Sequence, residues 1–171
     1  VMHLGTQQHH TNWLPGIMSL EIPGCFAMTE TGHGSDVASI ATTATYDVKT
    51  QEFVVRTPFR AAWKDYIGNA AIDGLAAVVF AQLVTKGVNH GVHAFYVDLR
   101  DPQTKEFLPG IGGEDDGVKG GLNGIDNGRL HFDNVRIPRT NLLNRYGDVH
   151  PDGTYSSCIS SPGRRLRLAE P

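Results

Sequence analysis

Two β-rich runs joined by a glycine-bearing reversal constrain the fold of this chain more than any other feature. AAVVFAQLV at residues 76–84 and HAFYVDL at residues 93–99 are rich in Val, Phe, Tyr and Leu, which favour strands. TKGVNHGV between them supplies the glycines that a tight reversal needs. We therefore predict two long strands that pair with each other.

Shorter runs with turn signals extend this β pattern in both directions. CFAMTE (25–30) predicts a short strand, and ASIATTATYD (38–47) predicts a second strand that leads through a polar turn into EFVVRT (52–57). One alternating face of the second strand comprises Ile40, Thr42, Ala44 and Tyr46. Asn127-Gly128, before RLHFDNVRI, is a strong hairpin-turn signal. Because no long helical period lies between these runs, we predict an all-β core, either a barrel or a sandwich.

The two ends of the chain differ from this pattern. Residues 1–20 place apolar groups at helical spacing around Pro15-Gly16 and predict the end of a helical region. Pro138 is expected to end the last strand, and RTNLLNRYGDVHPDGTY (139–155) to form a coil. The chain begins at Val1 and closes on a basic stub, so we expect a domain excised from a longer protein. The predicted division is a helical remnant at 1–20, a β domain at 21–145 and a linker at 146–171.

Composition excludes several classes of protein. A formal net charge of −3 with 19% charged residues gives no attraction for nucleic acid. No apolar run approaches the ~18 residues of a membrane span. Cys25 and Cys158 cannot build a disulfide framework and lack metal-ligand spacing, which favours a reducing compartment.

The loop AMTETGHGSD, residues 27–36, concentrates hydrogen-bonding groups around two glycines. Gly32 and Gly34 can let backbone N–H groups converge on a planar or anionic ligand, and the hydroxyls of Thr29 and Ser35 add donors. The loop is not a dinucleotide-binding fingerprint, because the G-x-G-x-x-G pattern fails at Val37. A binding element and a plain tight turn both remain open interpretations.

A second cluster, AAWKDYIGNAA at residues 61–71, combines Trp63, Lys64 and Tyr66 with Gly68-Asn69. Aromatic faces beside a glycine suit stacking on a flat ring system. The alternative is that Trp63 and Tyr66 are core residues at the rim of a barrel.

Other polar groups fit known sites poorly. His33, Ser35 and Asp36 lie too close in sequence to serve as nucleophile, base and orienting group. The histidines, including His9-His10, match no metal-ligand spacing, and the acidic run at 114–116 lacks the alternating ligands of a calcium loop. We predict no metal site.

Taken together, these stretches resemble the middle β-barrel domain of the acyl-CoA oxidases and acyl-CoA dehydrogenases, and are closest to the oxidases. The resemblance runs from His3 to about Gly163. Its motifs are CFAMTETGHGSDVASIATTATYD, KDYIGNA, HAFYVDLRDP, LPGI at 108–111, GIDNGRLHFDNVRIPRTNLLNRY and PDGTY. It implies a mainly β fold, a small antiparallel β-barrel with a short helical N-terminal remnant.

The resemblance also implies an FAD-dependent enzyme that oxidises a fatty acyl-CoA to the trans-2-enoyl-CoA in β-oxidation. The implied flavin contacts are Phe26, Met28, Thr29, Gly34, Ser35, Tyr66, Ile67 and Gly68, with Ser35 also near the thioester substrate. Thr29 would bond the polar edge of the ring. The family's catalytic carboxylate belongs to a C-terminal helical domain, so no catalytic residue is assigned in this chain. The flavin would lie between the barrel, that helical domain and a partner subunit of a homodimer or larger oligomer, so residues 1–171 alone are expected to bind it weakly and to be inactive.

Two positions bear on the electron acceptor and the packing. Gly68 stands where dehydrogenases usually carry Thr or Ser, as it does in oxidases, which favours oxygen as acceptor and hydrogen peroxide as product. Asp65 replaces an aromatic residue typical of oxidases. The alternatives are a dehydrogenase that passes electrons to a flavoprotein, or a non-catalytic β-barrel binding module. The cytoplasm of a bacterium is the expected location, or the peroxisome if the source is eukaryotic.

Overall fold

The structure, a computed structural model, describes residues 1–167 and consists mainly of β-strands. In this part of the chain the α-helices are α1 (Gln7–Met18) and α2 (Pro162–Arg167). The strands are β1 (Gly24–Ala27), β2 (Thr43–Asp47), β3 (Glu52–Arg56), β4 (Lys64–Gly68), β5 (Ala76–Thr85), β6 (Val88–Asp98), β7 (Ile111–Asp115), β8 (Asn127–Phe132), β9 (Val135–Pro138), β10 (Gly147–Val149) and β11 (Tyr155–Ser157). The end of the predicted linker, residues 168–171, lies outside the described residues.

The predicted pair of long strands is confirmed as β5 and β6, which pair antiparallel through a turn at Lys86-Gly87. The other edge of β5 is shared by two strands that follow one another along it. Residues 76–79 pair in parallel with β1, and residues 82–84 pair in parallel with β2. Ten residues give β5 enough length to serve both partners, at about 3.3 Å per residue.

The predicted mainly β fold is confirmed, but the small antiparallel β-barrel is not, because the sheet does not close. The six-stranded sheet has the order β1-β5-β2-β3-β9 with β6 on β5, mixes parallel and antiparallel pairs, and forms an open half-barrel. β4, β8 and β7 form a separate three-stranded sheet. The run RLHFDNVRI is one strand in the sequence pattern, but it turns at Asn134, where φ is +53°, and so supplies β8 to one sheet and β9 to the other.

The hydrophobic core lies between these two sheets, and a smaller cluster lies on the opposite face of the six-stranded sheet under α1. The predicted alternating face is confirmed within β2, where Ala44 and Tyr46 are buried in the main core; Ile40 and Thr42 are also buried but precede the strand, and Ile40 belongs to the cluster under α1. The predicted helical segment is α1, which continues through Pro15. Trp13 of this helix stacks on Tyr96 of β6, with ring centroids 3.9 Å apart.

Asn127-Gly128 does not form the hairpin turn that its sequence suggests. Both residues lie inside β8, between β7 and β4. A Cβ atom added at Gly128 would lie 2.7 Å from the carbonyl oxygen of Glu114 and 2.8 Å from the backbone nitrogen of Ala71. This glycine is therefore required by close backbone approach and not by a turn conformation.

The segment expected to form a coil after Pro138 contains the antiparallel hairpin β10–β11. Val149 is fully buried in the main core, and the hydroxyl of Tyr155 lies 2.9 Å from Nε2 of His93 on β6. The hairpin thus packs on the β domain. Among residues 1–167, no helix is long and apolar enough to cross a membrane.

Candidate functional site

The glycine loop (residues 27–36) and strand β4, which are separate clusters in the sequence, lie side by side. The amide of Asp65 donates to the carbonyl of Thr29 at 3.0 Å, and the amide of Thr31 donates to the carbonyl of Trp63 at 3.0 Å. At the other end of β4, the side-chain amide of Asn69 donates to the carbonyl of Gly24 at 3.0 Å. These bonds fix β1 and the glycine loop along β4.

Two aromatic side chains face solvent along this junction. Phe26 is 54% exposed and Tyr66 is 64% exposed, although both are large and apolar. Tyr66 lies at a register shift between β4 and β8 and has φ of +57°. Bulges of this kind redirect a side chain, and a left-handed conformation is unfavourable for a residue other than glycine. The backbone therefore accepts local strain where Tyr66 points outward.

Open glycines and unpaired hydroxyls complete the same surface. No atom lies within 4 Å of the position that a Cβ would take at Gly34 or Gly68, so the backbone is open to approach there. Thr29 and Ser35 are both exposed, and their hydroxyls make no hydrogen bond with the described part of the chain. We call Phe26, Thr29, Gly34, Ser35, Tyr66 and Gly68 the exposed strip.

The remaining two predicted flavin contacts lie deeper. Met28 is half-buried and packs against the cluster under α1. Ile67 is only 3% exposed and belongs to the main core. A ligand on the exposed strip could reach Ile67 only through its backbone.

Trp63 and Tyr66, which the sequence left equivalent, have different surroundings. The ring of Trp63 is half-buried and stacks on His131 with centroids 4.1 Å apart, and the guanidinium of Arg60 lies 4.2 Å from its centroid. Trp63 is thus engaged by the protein itself, as the rim-packing interpretation predicts. The exposed Tyr66 is the aromatic side chain of this cluster that is available to a ligand.

A buried ion pair lies behind the exposed strip, and sequence reasoning missed it. Nζ of Lys64 lies 3.1 Å from Oε1 of Glu30, and both side chains have zero exposure. The carboxylate of Glu30 also accepts from the amides of Ala41 and Thr42, at 2.8 and 3.0 Å, and from the Thr42 hydroxyl at 2.6 Å. The ammonium of Lys64 also donates to the carbonyls of Met28 and Phe80 at 3.0 and 2.7 Å.

These surroundings shift both pKa values. Burial alone would raise the pKa of Glu30, but the charge of Lys64 and the hydrogen bonds from Thr42 and Ala41 lower it below its usual range. Burial lowers the pKa of Lys64 to about 8, against the opposing charge of Glu30. At neutral pH the two groups therefore form a charged pair.

Asp65, at which the sequence departs from the oxidase pattern, provides a second support for the site. Asp65 accepts from Nε of Arg129 at 3.0 Å, from the amide of Tyr66 at 3.0 Å and from the hydroxyl of Thr31 at 2.9 Å. Burial and the neighbouring Asp65 raise the pKa of Asp116, whose carboxylate lies 3.5 Å from the same Nε. In place of aromatic packing, polar contacts link β4, β8 and the glycine loop.

The turn that follows β4 is clamped from two sides. Arg100, which is 5% exposed, donates to the carbonyls of Ala70, Ala71 and Gly74 at 2.8, 2.9 and 2.8 Å. Asp126 accepts from the amides of residues 71–73 at 2.9 to 3.0 Å. Gly68 is therefore followed by an ordered turn.

The other polar groups do not assemble into a site in the described structure. No hydrogen bond or ion pair joins the side chains of His33, Ser35 and Asp36 within that part of the chain, and His33 instead lies 3.6 Å from Glu30. His9 contacts the backbone nitrogen of Thr6 and the carbonyl of Thr140, a capping and packing role. Among residues 1–167, no group of three or more His, Cys, Asp or Glu could hold a metal ion.

An apolar cavity of about 470 Å³ borders the exposed strip at Phe26. It lies between α1 and the strands β1 and β5, and Leu14, Ile17, Ile22 and Val78 are among its lining residues. The site thus combines a polar, glycine-bearing edge with an apolar flank.

Residues 25–135 match the family model described as acyl-CoA dehydrogenase, middle domain. Acyl-coenzyme A oxidase 2, peroxisomal, of Arabidopsis thaliana is 52% identical over 172 residues, which cover 97% of this chain and 25% of that protein. Peroxisomal acyl-coenzyme A oxidase 3 of Homo sapiens is 47% identical over 160 residues, which cover 93% of this chain and 23% of that protein.

Solved structures agree with these matches. Arabidopsis thaliana acyl-CoA oxidase 1 superposes with a TM-score of 0.91 at 39% identity, covering 98% of this chain and 26% of that chain. Acyl-CoA oxidase-1 of Caenorhabditis elegans, complexed with FAD and ATP, superposes with a TM-score of 0.87 at 46% identity, covering 90% and 23%. This chain therefore spans about a quarter of the length of its relatives. The expected bacterial cytoplasm finds no support, because these curated relatives are eukaryotic and are named as peroxisomal.

Proposed function

Since this chain belongs to the acyl-CoA dehydrogenase middle-domain family, we propose that it is the middle domain of a longer, FAD-dependent acyl-CoA oxidase. The enzyme would convert a fatty acyl-CoA to the trans-2-enoyl-CoA in β-oxidation and pass the electrons to oxygen, with hydrogen peroxide as product. We further propose the division into a helical remnant (1–20), a flavin- and substrate-contacting β domain (21–145) and a connection toward a helical domain (146–171).

The observation that carries this proposal is the chemistry of the exposed strip, which fits a flat ring with a polar rim. Phe26 and Tyr66 offer apolar surface, and Gly34 and Gly68 leave the backbone open where a Cβ would otherwise stand. The exposed hydroxyls of Thr29 and Ser35 lack partners in the described chain and can donate to heteroatoms at the ring's edge. Apolar surface that stays exposed beside hydrogen-bonding groups and open backbone marks a candidate ligand-binding site.

FAD, when bound, supplies the acceptor for the hydride that leaves the acyl chain. The Thr29 hydroxyl binds the polar edge of the cofactor, while Phe26, Met28 and Tyr66 exclude water from its surface. Ile67 and Gly68 contribute backbone only. Ser35 lies near both the cofactor and the thioester of the substrate and orients the latter. The apolar cavity beside Phe26 supports a substrate with an aliphatic chain.

No catalytic base is assigned to this chain, because the exposed strip carries no carboxylate, imidazole or amine. The role of the exposed strip is to bind and orient the cofactor and the substrate, and the proton abstraction is left to another part of the full-length enzyme.

We propose that the full-length enzyme is a homodimer or larger assembly. A peroxisomal location is proposed from the names of its relatives.

Oxygen is the proposed electron acceptor because Gly68 leaves open space and no hydroxyl at the position next to Tyr66 and Ile67. The test is to incubate the full-length protein with a saturated acyl-CoA under air and to measure enoyl-CoA and peroxide together. The proposal predicts one peroxide per enoyl-CoA. Turnover with an artificial electron acceptor but without peroxide would instead identify a dehydrogenase, and failure to form enoyl-CoA with any acceptor would contradict the enzyme assignment.

A further inference from the structure

The buried pair Glu30–Lys64 is placed where it can control the shape of the exposed strip without touching a ligand. Glu30 follows Thr29 directly in the chain, and Lys64 lies two residues before Tyr66. Both side chains point into the protein and have zero exposure. Neither residue has a role in the proposed function, on which the following inference rests.

Lys64 uses all three of its N–H donors on two other segments, the glycine loop and β5. Its ammonium bonds the carbonyl of Met28 in the glycine loop, the carbonyl of Phe80 in β5, and the carboxylate of Glu30. An ammonium has three N–H groups, so none remains free. The lysine therefore ties β4, β5 and the glycine loop to a single point.

Glu30 extends the connection to the segment before β2. Its two carboxylate oxygens accept from the amides of Ala41 and Thr42, and one of them also accepts from the Thr42 hydroxyl. The loop between these residues, 31–40, begins and ends at this carboxylate and contains Gly34 and Ser35. Thr29 and Ser35 of the exposed strip are thus adjacent to, or enclosed by, the contacts of one buried group.

The carbonyls on either side of the Thr29 Cα are both held by hydrogen bonds. That of Met28 accepts from Lys64 Nζ at 3.0 Å, and that of Thr29 accepts from the amide of Asp65 at 3.0 Å. With both carbonyls fixed, the side chain of Thr29 is left exposed to solvent. A buried ion pair is weak support for stability, because apolar residues of similar volume often serve as well.

We propose that Glu30 and Lys64 are positioning residues. They hold the hydroxyls of Thr29 and Ser35 at the positions from which these hydroxyls contact the flavin. Their contribution is to the geometry of the exposed strip and not to the global stability of the domain. Replacing both residues together should therefore leave the domain folded but weaken its binding of FAD.

The test uses the full-length enzyme with the variants Glu30→Gln, Lys64→Met and the double variant. For each we would measure the dissociation constant for FAD, the visible absorption spectrum of the bound flavin, kcat, KM and the unfolding midpoint. Glu52→Gln is the matched control, because it removes a partly exposed ion pair with Arg136 (32% and 48% exposed) that lies between β3 and β9, outside the strip.

The single variants should unfold more readily, because each leaves one buried charge without its partner. The double variant should recover a midpoint close to that of the wild type, but bind FAD at least tenfold more weakly and show a shifted flavin absorption band. Glu52→Gln should leave flavin binding and spectrum unchanged. A double variant with a recovered midpoint and unaltered flavin binding and spectrum would overturn the inference.

If the double variant does not fold, the Glu30→Asp variant tests the inference instead. It keeps the charge but shortens the side chain, so the carboxylate can no longer reach Lys64 and the amides of residues 41–42 together. Weaker flavin binding with a shifted spectrum supports the inference, and wild-type values refute it. A wild-type enzyme that binds no FAD would be a different result, since it would refute the proposed function itself.

Discussion

Replacing Gly128 by alanine tests whether close backbone approach holds the site's supporting sheet together. The added Cβ would lie 2.7 Å from the Glu114 carbonyl oxygen, 2.8 Å from the Ala71 nitrogen and 3.0 Å from the Ala71 Cβ. None of these atoms can swing aside, because all belong to the backbone or are attached to it directly. β8 must therefore move away from β7 or from the turn that follows Gly68.

Overpacking of this kind costs about 3 kcal/mol, at the upper end of the range for well-packed sites. With an m-value of about 2 kcal/mol per molar urea, the unfolding midpoint should fall by about 1.5 M. Urea titration of residues 1–171, followed by tryptophan fluorescence, measures this directly. Gly120→Ala is the matched control, because nothing lies within 4 Å of its added Cβ. Equal midpoints for the two variants would refute the close-approach explanation.

Three further predictions concern the exposed strip and its support. Stability should fall more steeply between pH 5 and pH 3 in the wild type than in Glu30→Gln. The reason is that the pKa of Glu30 is lowered in the folded state, so its contribution is complete above the unfolded value of about 4.5 and is lost as the pH falls; parallel urea-midpoint profiles would contradict this. Gly68→Ser should change the free energy of unfolding by less than about 0.5 kcal/mol, since no atom crowds the new side chain. In the full-length enzyme, the same variant should produce less peroxide relative to its turnover with an artificial electron acceptor. Tyr66→Gly should keep stability within about 1 kcal/mol, because relief of the left-handed backbone offsets the entropy of glycine, while equilibrium dialysis should show weaker binding of FAD.

Local sequence signals predicted those elements whose partners are close in the chain. The β5–β6 pair and the β2–β3 hairpin are each joined by a short turn, so composition and alternation were enough to identify them. The buried face of β2 followed from the same alternation. These elements depend on contacts within a few residues, which a sequence pattern records.

The features that depend on distant contacts were missed or misread. Asn127-Gly128 has the composition of a turn, but the neighbours that require its glycine are Glu114 and Ala71, on other elements. The barrel was expected to close, yet the turn at Asn134 distributes β8 and β9 between two sheets.

The candidate site shows the same division. The glycine loop and the β4 cluster were identified from their residues and from the family resemblance, and the structure places them side by side. Which aromatic is exposed could not be predicted, because it depends on the irregular pairing of β4 with β8 at Tyr66. The pairing of Glu30 with Lys64 was also invisible, since 34 residues separate them and each sits in a polar stretch that would suit a solvated surface.

If the exposed strip binds the flavin of an acyl-CoA oxidase, the full-length Thr29→Val variant should have a larger dissociation constant for FAD than the wild type. Valine keeps the shape of threonine but removes the hydroxyl. Thr45→Val is the control, because Thr45 is also exposed but lies on β2, outside the strip. Loss of one hydrogen bond to a ligand is worth about 1 kcal/mol, which corresponds to roughly fivefold weaker binding. We expect that loss for Thr29→Val and wild-type affinity for Thr45→Val, whereas equal affinity in all three proteins would contradict the account.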